Sequence, residues 1–380
     1  MYFPLYSKNG EGGRTKCRPG EACIEKHFNL EQETIKHNME IKLTQYSHGA
    51  GCGCKIAPAV LEEILKGSGA TFVTPNLLVG NETKDDAAVY DMGNGTALIS
   101  TVDFFMPIVN DPMGYGKIAA ANALSDVYAM GGKPFMAIAV LGFPVQKLDA
   151  EVAQQIIAGA KEICMQAGVS LAGGHTIDSP EPFFGLSVNG LVEVKNLKKN
   201  SSAQVGDLLY LTKPLGTGML VTAVKRGLLT DDEIKHAVTY MCTLNTPGES
   251  LGKLDFVHAL TDVTGFGLLG HLTEMCAGSG VSAEIEYAQI PLMDGVKELA
   301  AKFIYPDSTM RNWKSFESKV EGINGESLLT LCDPQTSGGL LIAVDPKHEQ
   351  ELFKISLPPN TSLFKIGKII AKQDKQIFII

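Results

Sequence analysis

Between Tyr46 and Lys55 the chain reads Tyr-Ser-His-Gly-Ala-Gly-Cys-Gly-Cys-Lys, which sets His48, Cys52, Cys54 and Lys55 among three glycines. The thiolate is the nucleophilic form of cysteine, and a neighbouring cation favours it. Glycine gives up more conformational freedom on ordering than any other residue, so such a segment is costly to hold in one shape. The combination predicts a mobile arm that orders over a substrate. A plain linker, or half of a metal site built on Cys-x-Cys, fits the same ten residues, and the stretch alone does not choose between them.

Aspartates at the ends of apolar runs form a second pattern. They are Asp85 and Asp86 in Thr-Lys-Asp-Asp, Asp103 in Thr-Val-Asp-Phe, Asp126 in Ser-Asp-Val and Asp262 in Leu-Thr-Asp-Val-Thr. Each delivers a carboxylate to the rim of a core, and magnesium is commonly held by a few carboxylates together with substrate phosphates. Any single one serves equally well as a helix cap or turn former. Their number favours the metal reading.

Glycine clusters are the third pattern: Gly173-Gly174-His175-Thr176, Gly216-Thr217-Gly218 and Gly265-Phe266-Gly267-Leu268-Leu269-Gly270. The last fits Gly-x-Gly-x-x-Gly between a strand and a helix, but Glu284 and Glu286 come too early for the acidic partner of a dinucleotide fold. A Walker A pattern is absent from the sequence. Amides after Gly265 would still suit a phosphate. His175 reads equally as a buried strand-end histidine or as a ligand, and His271 is expected to be solvated on the polar face of its helix. The turn from Cys332 to Gly339 leads into a buried strand.

The elements that must carry these groups follow from periodicity. Helices are expected over 57–66, 113–130, 149–166, from the Gly216 region to about 225, and 266–276. Strands are expected at 72–79, 87–92, 96–102, 135–141, 169–172, 184–193, 207–212, 259–263, 338–344 and 363–371. Asn122 and Asp126, four residues apart, fall on one helix face. Leu98–Asp103 and Ala259–Asp262 echo each other faintly, both being apolar strands that end in aspartate. Basic and polar residues at 195–202 look like a linker. Irregular alternation of strands and helices favours two α+β domains over one doubly wound sheet.

With 380 residues, 44% of them hydrophobic and 20% charged, the chain has ample length for about two folded domains. Its 33 basic against 42 acidic residues, net −9, argue against a nucleic-acid or anionic-membrane surface. Eight cysteines without a Cys-x-x-Cys pair suggest reduced thiols and a cytoplasmic setting, with Cys164, Cys242, Cys276 and Cys332 expected in cores. No run approaches the roughly 18 apolar residues of a membrane span, and no signal-peptide core is expected. Residues 1–40 read as a poorly ordered extension, 41–56 as the mobile arm, 57–195 as a first domain and 196–380 as a second.

Taken together, these motifs resemble the selenophosphate synthetases (selenide, water dikinases) of the aminoimidazole ribonucleotide synthetase-like superfamily. The likeness is carried by His48-Gly-Ala-Gly-Cys52-Gly-Cys54-Lys55, Gly80 to Asp86, Thr101-Val-Asp103-Phe-Phe, Ser125 to Gly132, Ala172-Gly-Gly-His175, Thr261 to Gly267 and Asp333 to Gly339. It runs from about Leu43 to the C-terminus. It implies the two-domain superfamily fold, a homodimer joined through the N-terminal sheets, and conversion of ATP, selenide and water to selenophosphate, orthophosphate and AMP. By position it implies that Cys52 is the reactive residue and that Lys55 is needed for activity and contacts ATP. Asp86, Asp126 and Asp262 fall at magnesium ligands, with Asp126 also beside the nucleotide. Thr83, Lys84, Asp85 and Asp103 fall at nucleotide contacts, and Gly174, His175 and Thr176 on a segment that reaches ATP from the partner subunit. The family often has arginine where Lys84 stands, which keeps the charge and loses bidentate geometry. ATP and selenide are the implied ligands, with room for a selenium-delivery protein.

Overall fold

The structure is a computed structural model that describes residues 41–47, 49, 51, 53, 55–56, 58–67, 74–80 and 84–380. Residues 1–40, His48, Cys52, Cys54 and Thr83 lie outside the described residues.

The first half is built on a strand that alternates strictly. Along β3 (Thr96–Phe105) the residues Ala97, Ile99, Asp103 and Phe105 are buried, while Ser100, Val102 and Phe104 point outward. Around it form β1 (Leu77–Val79), β2 (Ala88–Asp91), β4 (Lys133–Phe143), β5 (Ser170–Asp178) and β6 (Phe183–Glu193). The sheet runs β1-β2-β3-β6-β4-β5, antiparallel except for the β4/β5 pair. The strand expected to stop at Ala172 continues through Gly-Gly-His-Thr to Asp178. Gly174 permits this, because a Cβ there would stand 2.2 Å from the Ala139 carbonyl oxygen of β4.

Helix α1 (Pro58–Gly67) precedes this sheet in the chain, and α2 (Pro112–Ala129) and α3 (Ala150–Gln166) cover its inner face. Pro112 at the first turn and the Asp111 carboxylate, which accepts from Met113 N at 3.3 Å and Gly114 N at 2.8 Å, fix the start of α2. The two helices touch backbone to backbone. A Cβ on Gly116 would lie 1.9 Å from Ile156 O, and one on Gly159 2.1 Å from Met113 O. That closeness buries α2 almost completely and pushes its polar residues, Asn122, Ser125 and Asp126, into the interior.

Residues 195–202 are packed rather than a loose linker. Lys198 and Asn200 are buried, Lys198 Nζ donates to Leu254 O, and Asn200 N donates to Asp85 Oδ1 at 2.7 Å. Buried main chain must find hydrogen-bond partners, and here the first half supplies one.

The second sheet contains β7 (Leu208–Leu211), β8 (Val257–Asp262), β9 (Ser282–Ile285), β10 (Val320–Glu321), β11 (Leu340–Val344), β12 (Phe364–Ile370) and β13 (Ile377–Ile379), in the order β10-β13-β9-β12-β7-β11-β8. Its central strands are apolar on both faces. Leu209 and Leu211 pack with α7 (Gly267–Ser279), while Tyr210 packs with Leu260, Ile342 and Leu251 of α6 (Pro247–Gly252). Also present are α4 (Thr217–Lys225), α5 (Asp231–Cys242), α8 (Val296–Ala301), α9 (Asp307–Phe316), α10 (Gly325–Leu331) and α11 (Glu349–Leu352). Helix α5, absent from the periodicity reading, starts at a capping box between Thr230 and Glu233. Cys164, Cys276 and Cys332 are core residues, whereas Cys242 is only half-buried. No helix among the described residues is long and apolar enough to cross a membrane.

Candidate active site

Five of the aspartates singled out above line one cavity of about 350 Å³. Asp103 comes from β3, Asp126 from α2, Asp262 from the end of β8, and Asp85 and Asp86 from the turn before β2. Both members of the faint strand echo therefore end in the same cavity. The alternation of β3 turns Thr101 and Asp103 toward α2, whose residues 122 and 126 face them four positions apart.

Hydrogen bonds hold each carboxylate. Thr101 Oγ1 donates to Asp126 Oδ2 at 2.5 Å, Ser125 Oγ to Asp262 Oδ2 at 2.5 Å, and Thr261 Oγ1 to Asp86 Oδ1 at 2.8 Å. Asn122 Nδ2 donates to Asp103 Oδ2 at 2.7 Å. Lys55 Nζ stands 3.5 Å from that same Asp103 oxygen, so the end of the arm reaches this cavity. Lys84 lines it from a turn position with φ of 55°, in the left-handed region.

Charge is the dominant strain. Burial and then the carboxylates of Asp262 and Asp126 push the Asp86 pKa well above its usual range, and burial and then Asp262 and Asp103 do the same to Asp126. Asp262, 1% exposed, is pushed up to about 6, chiefly by burial, against the lowering effects of Ser125 and Lys55. Asp86 Oδ2 is shielded from solvent and has no hydrogen-bond partner among the described residues. An unpartnered, buried, hard oxygen donor among like charges suits a divalent cation. No three carboxylate, histidine or cysteine groups among the described residues close into a single cage. Magnesium commonly takes one or two carboxylates and fills its remaining positions with water and phosphate oxygens.

Several lining groups were not anticipated. His271 is 8% exposed rather than solvated, because its face of α7 turns toward the cavity and not toward water. Its Nε2 accepts from Thr264 N at 3.1 Å, and burial lowers its pKa to about 3. Glu274, one turn on, is pushed by burial up to about 7. Leu61 and Leu65 of α1 and Phe266 add an apolar wall. The i,i+4 leucines and the i,i+3 His–Glu pair were visible spacings. Nothing in the sequence marked them as facing these carboxylates.

The Cys332–Gly339 turn reaches the site at one remove. Ser337 N donates to Asn122 Oδ1 at 2.7 Å, and Lys213 Nζ donates to the carbonyls of Ser337 and Thr243. Asn245 joins it through Ser125 Oγ and Gly338 O. Gly174, His175 and Thr176 sit on the exposed edge strand β5, and none of them lines this cavity within one chain.

Two sheets with this arrangement of carboxylates define the class. The AIR synthase related protein, N-terminal domain, matches residues 84–192, and the AIR synthase related protein, C-terminal domain, matches residues 204–380. A solved thiamine-monophosphate kinase from Stenotrophomonas maltophilia K279a shares the fold, with a TM-score of 0.59 at 18% identity over 86% of this chain and 96% of that one. Much nearer in sequence is a selenide, water dikinase of Pasteurella multocida (strain Pm70), 54% identical over 340 residues, 89% of this chain and 97% of that protein. Another, from Enterobacter sp. (strain 638), is 55% identical over 330 residues, 87% of this chain and 95% of its own length. The chain belongs to the selenide, water dikinase family.

Proposed function

We propose that the protein makes selenophosphate from ATP, selenide and water, releasing orthophosphate and AMP, in the carboxylate-lined cavity. The observation that carries this reading is the convergence of Asp86, Asp126 and Asp262 from three distant segments on a cavity that Lys55 of the cysteine-bearing arm also enters. Asp86, Asp126 and Asp262 would hold magnesium, which when bound supplies positive charge against the triphosphate. ATP brings about four negative charges, and five aspartates and Glu274 would otherwise repel it.

The chain's own groups do the remaining work. Asn122 and Asp103 orient Lys55, which steadies a phosphate oxygen. Lys84 adds a second cation from its left-handed turn, with Asp85 and Thr83 beside it as nucleotide contacts. The apolar wall of Leu61, Leu65 and Phe266 excludes water from the first transfer. Cys52, which directly follows Gly51 in the sequence, is the reactive thiol, and Lys55 favours its thiolate.

A homodimer accounts for an apolar face that one chain leaves open. Val102, Phe104, Phe135, Ile138 and Ile177, on the outer side of the first sheet, are between 41% and 55% exposed, an unusual patch for a monomer. Pairing two such faces would carry Gly174, His175 and Thr176 of one chain toward the other's nucleotide. The reduced cysteines fit a cytoplasmic enzyme.

Anaerobic incubation with ATP, magnesium and selenide, followed by phosphorus NMR, tests the reaction. A selenium-coupled phosphorus signal together with AMP is expected; ADP alone as product would reject it.

A further inference from the structure

A second cavity, of about 380 Å³, lies against the same arm. Gly49 and Gly53 line it, whereas Lys55 lines the carboxylate cavity, so within two residues, at most about 7 Å of chain, the arm passes from one to the other. Among the described residues, the charged ones that line this second cavity are Lys225 and Arg226 at the end of α4, and Asp307 and Arg311 in the first turns of α9. Three cations face one carboxylate, a formal +2 in a chain whose formal charge is −9.

Two of the cations are engaged with the arm. Lys225 Nζ donates to Ser47 O at 3.0 Å and Gly49 O at 3.3 Å, and Arg311 Nη2 donates to Gly53 O at 3.0 Å. These bonds consume donors and not charge. Arg226 makes only a main-chain bond, from its N to Thr222 O, and its guanidinium is unpaired among the described residues. Asp307 would oppose an anion, and one carboxylate does not cancel three cations.

We infer that this cavity receives the anionic chalcogenide acceptor, hydrogen selenide, on the side of the arm away from the carboxylates. This rests on the reaction proposed above and assigns its second substrate to a place. Two anions that must meet repel each other, and the carboxylate cavity repels both until cations fill it. A cationic antechamber on the arm concentrates one of them without passing it over the aspartates. The arm, whose sequence puts Cys52 and Cys54 on either side of Gly53, is then the partition at which the acceptor meets the phosphate.

Arg226 is the residue to test, because its side chain holds neither the arm nor the fold. In anaerobic steady-state assays with sodium selenide, Arg226→Met is expected to raise the KM for selenide about 5- to 10-fold and that for ATP less than 2-fold, with Arg226→Lys recovering most of the loss. Crystals of the full chain grown with sodium bromide are expected to give an anomalous peak between Arg226 and Arg311. An unchanged selenide KM in Arg226→Met overturns the assignment, whatever the bromide shows. A variant that changes only inhibition by added orthophosphate overturns it too, since the cavity would then serve product. If wild-type protein forms no selenophosphate, the reaction proposed above fails, and an empty cavity in the bromide crystals separately removes this one.

Discussion

The two cavities that share the glycine-rich arm are alike in size and opposite in charge. One has Lys55 and Lys84 against five aspartates and Glu274, a formal −4; the other has three basic residues against Asp307. In the first, Asp103, Asp126 and Asp262 are buried and pinned by asparagine, threonine and serine side chains, with Asp85, Asp86 and Glu274 half-buried; in the second the charges stand at the surface on two helices. Buried like charges raise each other's pKa and cost stability, whereas exposed cations are screened by water and salt. The carboxylate cavity is thus strained until cations fill it, and the cationic one is nearly free of strain. A site that must organise a triphosphate accepts that cost; a site that only gathers a small anion has no need to.

That contrast can be broken most severely at Asp262. Asp262→Asn is expected to lower turnover by about 10³-fold and weaken magnesium-dependent ATP binding in calorimetry, while raising the melting temperature of the metal-free protein by about 2–5 °C. Opposite signs for activity and stability are the signature of a strained ligand. A fall in both would mark Asp262 as a structural residue.

Next in size is the arm's anchor. Gly51 has φ of 55°, its N donates to Met106 O, and a Cβ there would meet Ile108 and Thr336 at 2.6 Å. Gly51→Val is expected to cost about 10²-fold in selenophosphate formation, with a stability loss of about 1–3 kcal/mol in urea titration. Because the arm borders both cavities, the KM values for ATP and for selenide should both rise. The Arg226→Met effect, 5- to 10-fold and confined to selenide, is smaller and one-sided.

The gentlest probe is pH. A folded-state pKa above the unfolded value means that the native chain binds that proton more tightly, so the stability it brings is full below the unfolded value and lost as pH rises to the folded one. Asp262 moves from 3.8 to about 6, Glu274 from 4.5 to about 7 and Asp333 from 3.8 to about 7. His271, lowered from 6.5 to about 3, acts in the opposite sense and loses stability as pH falls through that range. Three groups outweigh one. The metal-free protein should therefore melt a few degrees lower at pH 7 than at pH 5 by scanning fluorimetry, with Asp262→Asn flattening the slope and magnesium with ATP reversing it.

Much of this was legible in the order of residues alone. Alternation placed β3, and a 3.6-residue period placed α2 and α3; such signals are local, and local signals survive in a sequence. The strand through Gly174 and the helix after Thr230 escaped notice because one depends on close approach to β4 and the other on a cap rather than on an apolar stripe. Asp86, Asp103, Asp126 and Asp262 stood out because each ended an apolar run. Asn122 was legible as sharing a helix face with Asp126, but His271 and Glu274 were not legible as site residues, since a polar residue within a helix reads as solvent-facing until something is packed over it.

The chain by itself determined which chemical groups are present and on which elements they ride: a thiol- and lysine-bearing arm, aspartates at strand and helix positions, and glycines where backbones touch. Only the tertiary structure decided which of them meet. Thr261 hydrogen-bonds Asp86 from 175 residues away and Ser125 hydrogen-bonds Asp262 from 137, pairings that no local period encodes. The same folding drew Lys225, Arg226 and Arg311 together in the second cavity that the arm borders, because helix packing sets where a side chain ends up while sequence spacing sets only its face.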